Sequence, residues 1–311
     1  MQRMEKHRGL RIIGYVLAVC AVIFAGVYMA SRSFREEVDE MTSAVYVHFV
    51  INPTMSLVAD KVADVPYCNS RNRMQRLDVF TPKHSDEPTP LVVYIHGGSW
   101  SNGSKSNHYV SYFGPEIVKN GMTLVSMNYR LSPANRYPAQ NDDVACALKY
   151  LRDHAEQLHI DTTRIALMGD SAGGQLAAAT AFHAVNGRSV KAVVAFYSPF
   201  DVWAQITRTP RPDKGAINYI GGESNRTLAE QASPLYVPIE KTPAFLLFHG
   251  TNDRIVHYDQ STAFARRLQK ANIDVTVVPV SNANHHFDER SRPTEHDIMQ
   301  QTATFLKRHL F

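Results

Sequence analysis

A serine flanked by small residues is the strongest candidate for chemistry in this chain. Ser171 stands in the sequence Gly-Asp-Ser-Ala-Gly-Gly, after the apolar run 165–168 and before a helical pattern that starts near Ala172. A serine on a sharp strand-to-helix turn has a strained backbone, and small neighbours such as Gly169 and Gly173 leave room for so tight a turn. The amides at the start of the helix would lie beside a developing oxyanion. The pattern in this context predicts that Ser171 is a nucleophile.

A carboxylate and a histidine follow this serine in the chain order expected when the nucleophile lies on such a strand-to-helix turn. Asp253 and His285 each come shortly after an apolar run that is typical of a strand. A serine hydroxyl is a poor nucleophile at neutral pH, so an imidazole must take its proton and a carboxylate must orient the imidazole. Singly they could be a helix cap and a surface histidine, but together with Ser171 they predict a catalytic set. His286 is expected to face away, because adjacent side chains of an extended segment point in opposite directions.

A pair of glycines after the apolar run 91–95 is expected to help to stabilise negative charge. Residues 96–100 read His-Gly-Gly-Ser-Trp. Glycines let backbone amides approach a substrate carbonyl, so this stretch is interpreted as part of an oxyanion hole. The amide of Ala172 is expected to complete this oxyanion hole. A plain turn at a strand end is the alternative, and the nearby serine motif favours the functional interpretation.

Three aromatic residues are candidates for the wall of a substrate pocket. Trp100 follows the glycine pair, and Phe200 and Trp203 follow the apolar run 192–196. The irregular stretch 203–233 predicts a small cap, which is short for a lid over a long acyl chain. We therefore expect a preference for short acyl groups. The alternative is that these aromatic residues belong to the hydrophobic core.

Short apolar runs alternate with helical patterns through most of the chain. The runs are rich in β-branched residues and predict strands buried on both faces, at 91–95, 123–128, 165–168, 192–196, 244–248 and 275–280. The stretches between and after them predict helices at 143–157, 172–185, 258–271 and 294–310. Such alternation predicts an α/β fold with a mostly parallel sheet and helices on both faces.

The first 35 residues differ in composition from the rest of the chain. Residues 12–30 carry no charged side chain, and a helix of this length matches a ~30 Å hydrocarbon core. Basic residues precede the apolar run and acidic residues follow it, so we expect a single-pass transmembrane signal anchor within residues 1–35. The N terminus would be cytoplasmic and the catalytic domain extracytoplasmic. A cleaved signal peptide, which would give a secreted protein, is the alternative. Residues 36–65 are expected to be a tether, and 66–311 the catalytic domain.

Charge, metal-binding motifs and cysteine content exclude several classes of protein. The chain has a net charge of +4, but residues 1–35 alone carry +5, so the remainder carries −1 and gives no reason to expect nucleic-acid binding. No H-E-x-x-H or C-x-x-C motif is present, and we expect no catalytic metal. The three cysteines are not a disulfide framework, and a bridge between Cys68 and Cys146 stays open.

The motifs at 96–100 and 169–174 resemble those of the hormone-sensitive-lipase-like α/β-hydrolases, in particular the bacterial feruloyl-esterase-like carboxylesterase group. The likeness runs from about residue 66 to the C terminus. It implies the α/β-hydrolase fold and places the family's nucleophile, acid and base on Ser171, Asp253 and His285. It also implies oxyanion amides at Gly98 and Ser99, with Gly97 adjacent, and at Ala172. Many relatives have a third glycine where this chain has serine, but a backbone amide survives that change.

The resemblance implies a serine carboxylesterase that acts on small-molecule esters through an acyl-enzyme and needs no cofactor. An arylformamidase or other amidase is an alternative, because the same three residues serve both reactions. The predicted anchor favours a second alternative, an esterase for membrane lipids or for prenylcysteine methyl esters. A non-catalytic hydrolase-fold binding protein would typically lack the serine or the histidine, and both are present here. The sequence leaves the oligomeric state open.

Overall fold

The computed structural model describes residues 52–68, 71–183, 190–208, 212–287 and 290–311. Within them, eight strands form one sheet: β1 (Ala59–Pro66), β2 (Arg76–Pro82), β3 (Thr89–Ile95), β4 (Thr123–Met127), β5 (Ile160–Asp170), β6 (Ala192–Phe196), β7 (Ala244–Gly250) and β8 (Val275–Val280). The helices of the described residues are α1 (Asn52–Val58), α2 (His108–Lys119), α3 (Ala139–Asp153), α4 (Ala172–Ala181), α5 (Val202–Thr207), α6 (Lys214–Ile220), α7 (Arg226–Ala232), α8 (Asp259–Lys270) and α9 (Glu295–Leu310).

The sheet is mostly parallel, which confirms the predicted α/β fold. Its strand order is β1-β2-β4-β3-β5-β6-β7-β8, and only the pairs β1–β2 and β2–β4 are antiparallel. Every residue of β3, β4, β6 and β7 is buried. Alternate side chains of β3 enter two separate apolar clusters, with Leu91 and Val93 in one and Val92 and Tyr94 in the other. Apolar packing therefore covers both faces of the sheet, because successive side chains of a strand point to opposite faces.

The parallel strands bring distant parts of the chain to one edge of the sheet. β3, β5, β7 and β8 run in the same direction and end at Ile95, Asp170, Gly250 and Val280. In open α/β sheets, this carboxyl edge is where functional residues gather. The residues that follow these four strands include each predicted catalytic residue and the predicted oxyanion segment.

The domain begins earlier than the predicted boundary at residue 66. Helix α1 and strand β1 occupy residues 52–66, β1 pairs with β2 along its length, and Met55 is buried among side chains of α2. The predicted tether is therefore wrong for residues 52–65, whereas residues 36–51 lie outside the described residues. β1 exposes most of its side chains, so it lacks the apolar run by which the inner strands were predicted.

Helix α2 was also missed by sequence reasoning, and the reason is visible in its composition. It contains Gly114 and Pro115 in its interior, and both residues are usually breakers of a helical pattern. The helix nevertheless buries Tyr109, Phe113 and Ile117 on one face. Tertiary packing of this apolar face therefore outweighs the low helix propensity of the two residues.

The predicted membrane anchor, residues 12–30, lies outside the described residues. Among the helices that the structure does describe, none combines the length and the apolar character that crossing a bilayer requires. The anchor and the orientation inferred from its flanking charges therefore stay predictions.

A disulfide joins the outer edge of the sheet to a helix. Cys68 follows β1 and is bonded to Cys146 of α3, with the two Cα atoms 5.7 Å apart. The sequence left this pairing open because three cysteines spread over the chain indicate no framework. In the folded protein the end of β1 lies beside α3, so the two cysteines are bonded although they are 78 residues apart in sequence.

The stretch predicted to be a cap forms three short helices, α5, α6 and α7, between β6 and β7. Asp201 begins α5 by accepting a hydrogen bond from the amide of Ala204, and Asp213 begins α6 by accepting one from Gly215. The first turn of α6 lies against Ser99, since a Cβ added to Gly215 would be 2.4 Å from the Cβ of Ser99. The cap therefore contacts the segment that follows β3.

Candidate active site

Ser171 occupies a tight turn between β5 and α4. Its backbone has φ 47° and ψ −120°, a region that residues other than glycine rarely adopt. A Cβ on Gly173 would lie 2.0 Å from the carbonyl oxygen of Ile95, and one on Gly169 would lie 2.6 Å from the carbonyl carbon of Gly173. The turn therefore needs glycine at both positions. It presents Ser171 at the carboxyl edge of the sheet and at the start of a helix.

The side chains of Ser171, His285 and Asp253 are hydrogen-bonded in series. His285 Nε2 lies 3.0 Å from Ser171 Oγ, and His285 Nδ1 lies 2.8 Å from Asp253 Oδ2. When Nδ1 carries its proton toward the carboxylate, Nε2 is free to accept the proton of the hydroxyl. The arrangement can therefore make the serine oxygen nucleophilic.

Asp253 is buried, but its environment favours the charged form. Its Oδ1 accepts hydrogen bonds from the amides of Ile255 at 2.8 Å and Val256 at 3.0 Å, and His249 Nε2 lies 3.3 Å from Oδ2. Burial alone would raise the pKa of Asp253, but the hydrogen bonds from His249 and His285 outweigh it and hold that pKa well below its usual value. Asp253 can therefore orient His285 as a carboxylate and stabilise the protonated imidazole.

The oxyanion turn, residues 97–100, has an unusual backbone. Gly98, Ser99 and Trp100 have φ values of 111°, 51° and 57°. Among the described residues, none accepts a hydrogen bond from the amides of Gly98, Ser99 or Ala172. Three of the four predicted donors are therefore unengaged within the described part of the protein.

The fourth predicted donor, Gly97, has a partner inside the protein. Its amide donates to Asp170 Oδ1 at 2.8 Å, and the hydroxyl of Tyr94 donates to the same oxygen. Burial raises the pKa of Asp170 above its usual value, although these two hydrogen bonds act in the opposite direction. The Gly97 amide serves to fasten the turn to the residue before Ser171, and we exclude it from the proposed oxyanion donors.

His285 lies in the base loop, residues 283–287, where buried and exposed side chains alternate. His285 and Phe287 are buried, whereas His286 is exposed, as expected from an extended segment. The ring of Tyr197, which follows β6, packs against His285 with ring centroids 4.6 Å apart. Tyr197 is fully buried and its hydroxyl is 2.6 Å from that of Tyr109. Sequence reasoning missed Tyr197, because a tyrosine after an apolar run has many structural uses.

Two of the three aromatic residues predicted to line the substrate pocket lie in the hydrophobic core instead. Trp100 is 1% exposed and stacks on Tyr219, and Phe200 is 1% exposed and stacks on Phe264. Both belong to the main apolar cluster, so their prediction as pocket residues is wrong. Trp203 of α5 is half-buried at the edge of that cluster, with the guanidinium of Arg226 5.9 Å from its ring centre.

Two other histidines near the site are buried and hydrogen-bond to neighbouring groups within the protein. His96 is fully buried beneath the oxyanion turn, with Nδ1 2.7 Å from the carbonyl oxygen of Gly97 and its ring stacked on Tyr129. His249 Nδ1 contacts Ser261 Oγ at 2.7 Å, and its Nε2 contacts the carbonyl oxygen of Val256 at 2.8 Å. In the part of the chain that the structure describes, no group of three or more histidine, cysteine or acidic residues is arranged to hold a metal ion.

The fold and the site together define an α/β-hydrolase, with the serine on a strand-to-helix turn and the order serine, aspartate, histidine along the chain. A family model described as BD-FAE matches residues 77–268. Because this match covers more than half of the chain, the chain belongs to the BD-FAE family.

Several named proteins are similar to this chain in sequence. Esterase LipC of Mycobacterium tuberculosis is 27% identical over 72% of the chain and 60% of its own length. A probable isoprenylcysteine alpha-carbonyl methylesterase of Arabidopsis thaliana is 27% identical over 68% of the chain, but only 48% of its own length is matched. Ethyl acetate hydrolase of Pseudomonas putida is 26% identical over 75% of the chain and 79% of its own length.

Solved structures agree with the fold. A hyperthermophilic esterase from Pyrobaculum calidifontis has a TM-score of 0.70 at 24% identity, covering 93% of this chain and 97% of that protein. A bacterial heroin esterase has a TM-score of 0.65 at 22% identity, covering 84% and 89%. At these identities, the likeness supports the α/β-hydrolase fold and nothing finer.

Proposed function

We propose that this chain is a serine carboxylesterase that hydrolyses small-molecule carboxylic esters. The observation that carries the proposal is the hydrogen-bonded series of Ser171, His285 and Asp253, which lies at the carboxyl edge of the sheet with the oxyanion turn. Relatives with esterase names, such as LipC and ethyl acetate hydrolase, support the ester class.

In the acylation step, Ser171 Oγ bonds to the ester carbonyl carbon while His285 Nε2 takes the hydroxyl proton. The carbonyl π electrons move to oxygen, which accepts hydrogen bonds from the free amides of the oxyanion turn and of Ala172. When this intermediate collapses, the bond to the alcohol oxygen breaks and His285 gives the proton to that oxygen. Asp253 stabilises the protonated imidazole between the two transfers.

In the deacylation step, water takes the place of the alcohol. His285 accepts a proton from the water while the water oxygen bonds to the acyl carbon. The same amides donate hydrogen bonds to the second oxyanion. The bond to Ser171 Oγ then breaks, and the proton returns from His285 to the serine. The products are a carboxylic acid, an alcohol and the regenerated enzyme, so no cofactor takes part.

The test is hydrolysis of p-nitrophenyl acetate by the full chain in mild detergent. Ser171→Ala should lower kcat/KM by about 10³-fold or more, because the nucleophile is removed. Ser198→Ala is a matched control, since Ser198 is buried beside the same turn and its hydroxyl donates to the carbonyl oxygen of Phe196. Equal activity of wild type and Ser171→Ala would contradict the proposal.

The choice between ester and amide substrates is tested with a matched panel. We expect nitrophenyl esters to be turned over faster than arylformamides. The panel includes a prenylcysteine methyl ester, because the Arabidopsis relative carries a methylesterase name. Faster Ser171-dependent turnover of an arylformamide would replace the esterase proposal by an amidase.

We also propose a preference for short acyl groups. It is supported by the contact between the cap and the oxyanion turn, where Gly215 of α6 lies directly against Ser99. Acetate and butyrate esters should therefore have higher kcat/KM than esters of long-chain acids. Higher kcat/KM for long-chain esters would contradict the proposed preference and leave the reaction type unaffected.

We propose finally that the catalytic domain is anchored to a membrane and faces an extracytoplasmic compartment. The apolar run at 12–30 and its flanking charges support the orientation, and the disulfide between Cys68 and Cys146 suits an oxidising compartment. Carbonate washing should leave the protein in the membrane, and protease added to intact cells or spheroplasts should digest the domain. Release of a shortened soluble form would show a cleaved signal peptide instead.

A further inference from the structure

The oxyanion turn requires support from its surroundings. Ser99 and Trp100 have φ values of 51° and 57°, and side-chain-bearing residues adopt this region only where surrounding contacts hold them in it. The amide directions of the turn depend on these dihedral angles. A contact that fixes Trp100 therefore also fixes the direction of the amides that precede it.

The indole of Trp100 has two such contacts. Its Nε1 donates a hydrogen bond to Gln175 Oε1 at 2.8 Å, and its ring stacks face to face on Tyr219 of α6 with centroids 4.5 Å apart. The stacking can slide, whereas the hydrogen bond is directional. Gln175 therefore defines the position of the indole more narrowly than Tyr219 does.

Gln175 links the turn to two other parts of the site. It is fully buried in the first part of α4, where its backbone amide donates to the carbonyl oxygen of Ser171 at 3.2 Å. Its side-chain Nε2 donates to the carbonyl oxygen of Ala232, the last residue of α7, at 2.6 Å. One buried amide thus joins the serine turn, the oxyanion turn and the cap.

A glutamine is an unusual residue at this place. Its neighbours on α4 are small or apolar, and burying a primary amide costs free energy unless both of its ends are hydrogen-bonded. An apolar residue of equal size would fill the same volume without that requirement. A glutamine differs from such a residue because it makes directional hydrogen bonds, to Trp100 at one end of its side-chain amide and to Ala232 at the other.

We propose that Gln175 is a positioning residue for the esterase reaction, which rests on the function proposed above. Through the indole of Trp100, it sets the distance between Ser171 Oγ and the amides of Gly98 and Ser99. It touches neither substrate nor reacting atoms. Its loss should weaken the stabilisation of the oxyanion and leave the binding of the uncharged ester nearly unchanged.

The test uses the full chain in detergent and compares Gln175→Met with wild type. Methionine keeps the volume and removes both hydrogen bonds. Since the amides would be displaced rather than lost, we expect kcat for p-nitrophenyl acetate to fall about tenfold, less than the 10²–10³ for a removed donor, with KM within about threefold. Thr180→Val is a control on the same helix, because Thr180 is also buried and its hydroxyl has no hydrogen-bond partner among the described residues. This control should keep the wild-type kcat.

A second readout isolates the oxyanion. With a trifluoromethyl ketone, Ser171 Oγ bonds to the carbonyl carbon, the π electrons move to oxygen, and the serine proton moves to His285. The affinity for this ketone should fall by the same factor as kcat in Gln175→Met. Trp100→Phe removes the other partner of the bond and should give a similar loss, and the double variant should be no worse than either single one. Trp100→Phe also tests the proposal if Gln175→Met does not fold.

Unchanged kcat and ketone affinity per active site in Gln175→Met, or in Trp100→Phe if only that variant folds, would overturn the proposal. Additive losses in the double variant would overturn it as well. Active sites are counted by fluorophosphonate labelling, so that misfolded protein is not mistaken for slow enzyme. If the wild type shows no Ser171-dependent hydrolysis, the proposed function itself fails, and this inference fails with it.

Discussion

The oxyanion turn and the base loop both follow parallel strands at the same edge of the sheet, but they are held in different ways. The turn is held by buried side chains that take no part in the proposed reaction, through Asp170 at Gly97 and Gln175 at Trp100. The base loop is held partly by two of the proposed catalytic groups, since Asp253 accepts the hydrogen bond of His285. Packing from Tyr197 and a hydrogen bond from the Asn252 amide to the Ala283 carbonyl oxygen also hold it.

This difference separates positions that support the site from positions proposed to react. In the base loop, substitution of His285 removes a proposed catalytic group and its hydrogen bond to Asp253. We expect the strands that precede the loop to stay folded. In the oxyanion turn, the proposed oxyanion donors are backbone amides, which no side-chain substitution deletes. Function there is lost by moving the backbone, so activity and stability should change together.

The largest effect is expected in the base loop. His285→Ala should lower kcat/KM for p-nitrophenyl acetate by about 10³-fold or more, because the proposed general base is lost. His286→Ala, a neighbouring exposed histidine, should cost less than about tenfold, since it lies outside the series that contains Ser171. Steady-state kinetics of both variants, with melting temperatures, measure this contrast. An inactive His286 variant beside an active His285 variant would reverse the assignment of the base.

A smaller effect is expected from the backbone of the oxyanion turn. Gly98 has φ 111°, and a Cβ there would lie 2.3 Å from the carbonyl oxygen of Asn102. Gly98→Ala should therefore displace the turn and lower kcat/KM by about 10²-fold, with a lower melting temperature.

Ser99→Gly is the matched control for that variant. It relieves a positive φ and keeps the backbone amide, so kcat/KM should stay within about threefold of wild type. If Gly98→Ala retained full activity and stability, the turn would not need the conformation described here. The contrast with the base loop would then be lost.

The histidine beneath the turn should affect stability through pH. Burial lowers the pKa of His96 from its usual 6.5 to about 4, although its hydrogen bond to the Gly97 carbonyl acts in the opposite direction. Between these values, the unfolded chain takes up a proton that the folded protein does not, so the free energy of unfolding falls as the pH falls. From pH 7 to pH 5, His96 should account for a loss of about 2 kcal/mol.

Urea unfolding of His96→Phe at these two pH values measures that contribution. The variant should lose about 2 kcal/mol less than wild type on acidification, whatever its stability at pH 7. An unchanged pH dependence in His96→Phe would contradict the structural role of this histidine.

The parts of the site that sequence reasoning placed together are those specified by local patterns. The motif around Ser171 and the strands before Asp253 and His285 are visible as glycine spacing and apolar runs, and the parallel sheet then brings these residues together. The direction of a side chain that leaves a turn has no such pattern. Trp100 and Phe200 were therefore predicted in a pocket, although both pack into the core.

Residues that act through hydrogen bonds to distant elements were not predictable either. Asp170 contacts Gly97, and Gln175 contacts Trp100 and Ala232, across separations that only the folded chain closes. The available signal was Gln175, whose side-chain amide stands out within the mostly small and apolar sequence of α4. The early start of the domain was missed for a different reason, because edge strand β1 is too exposed to show an apolar run.

The most direct test of the central claim is the site at which a fluorophosphonate probe bonds to the protein. The probe reacts when an activated serine oxygen bonds to phosphorus and fluoride leaves, so it reports the nucleophile without any choice of ester. Mass spectrometry of the digested full chain should find the adduct on the peptide that contains Ser171, and Ser171→Ala should abolish labelling. An adduct on another serine, or labelling retained in Ser171→Ala, would contradict the proposal that this turn, with His285 and Asp253, forms the active site.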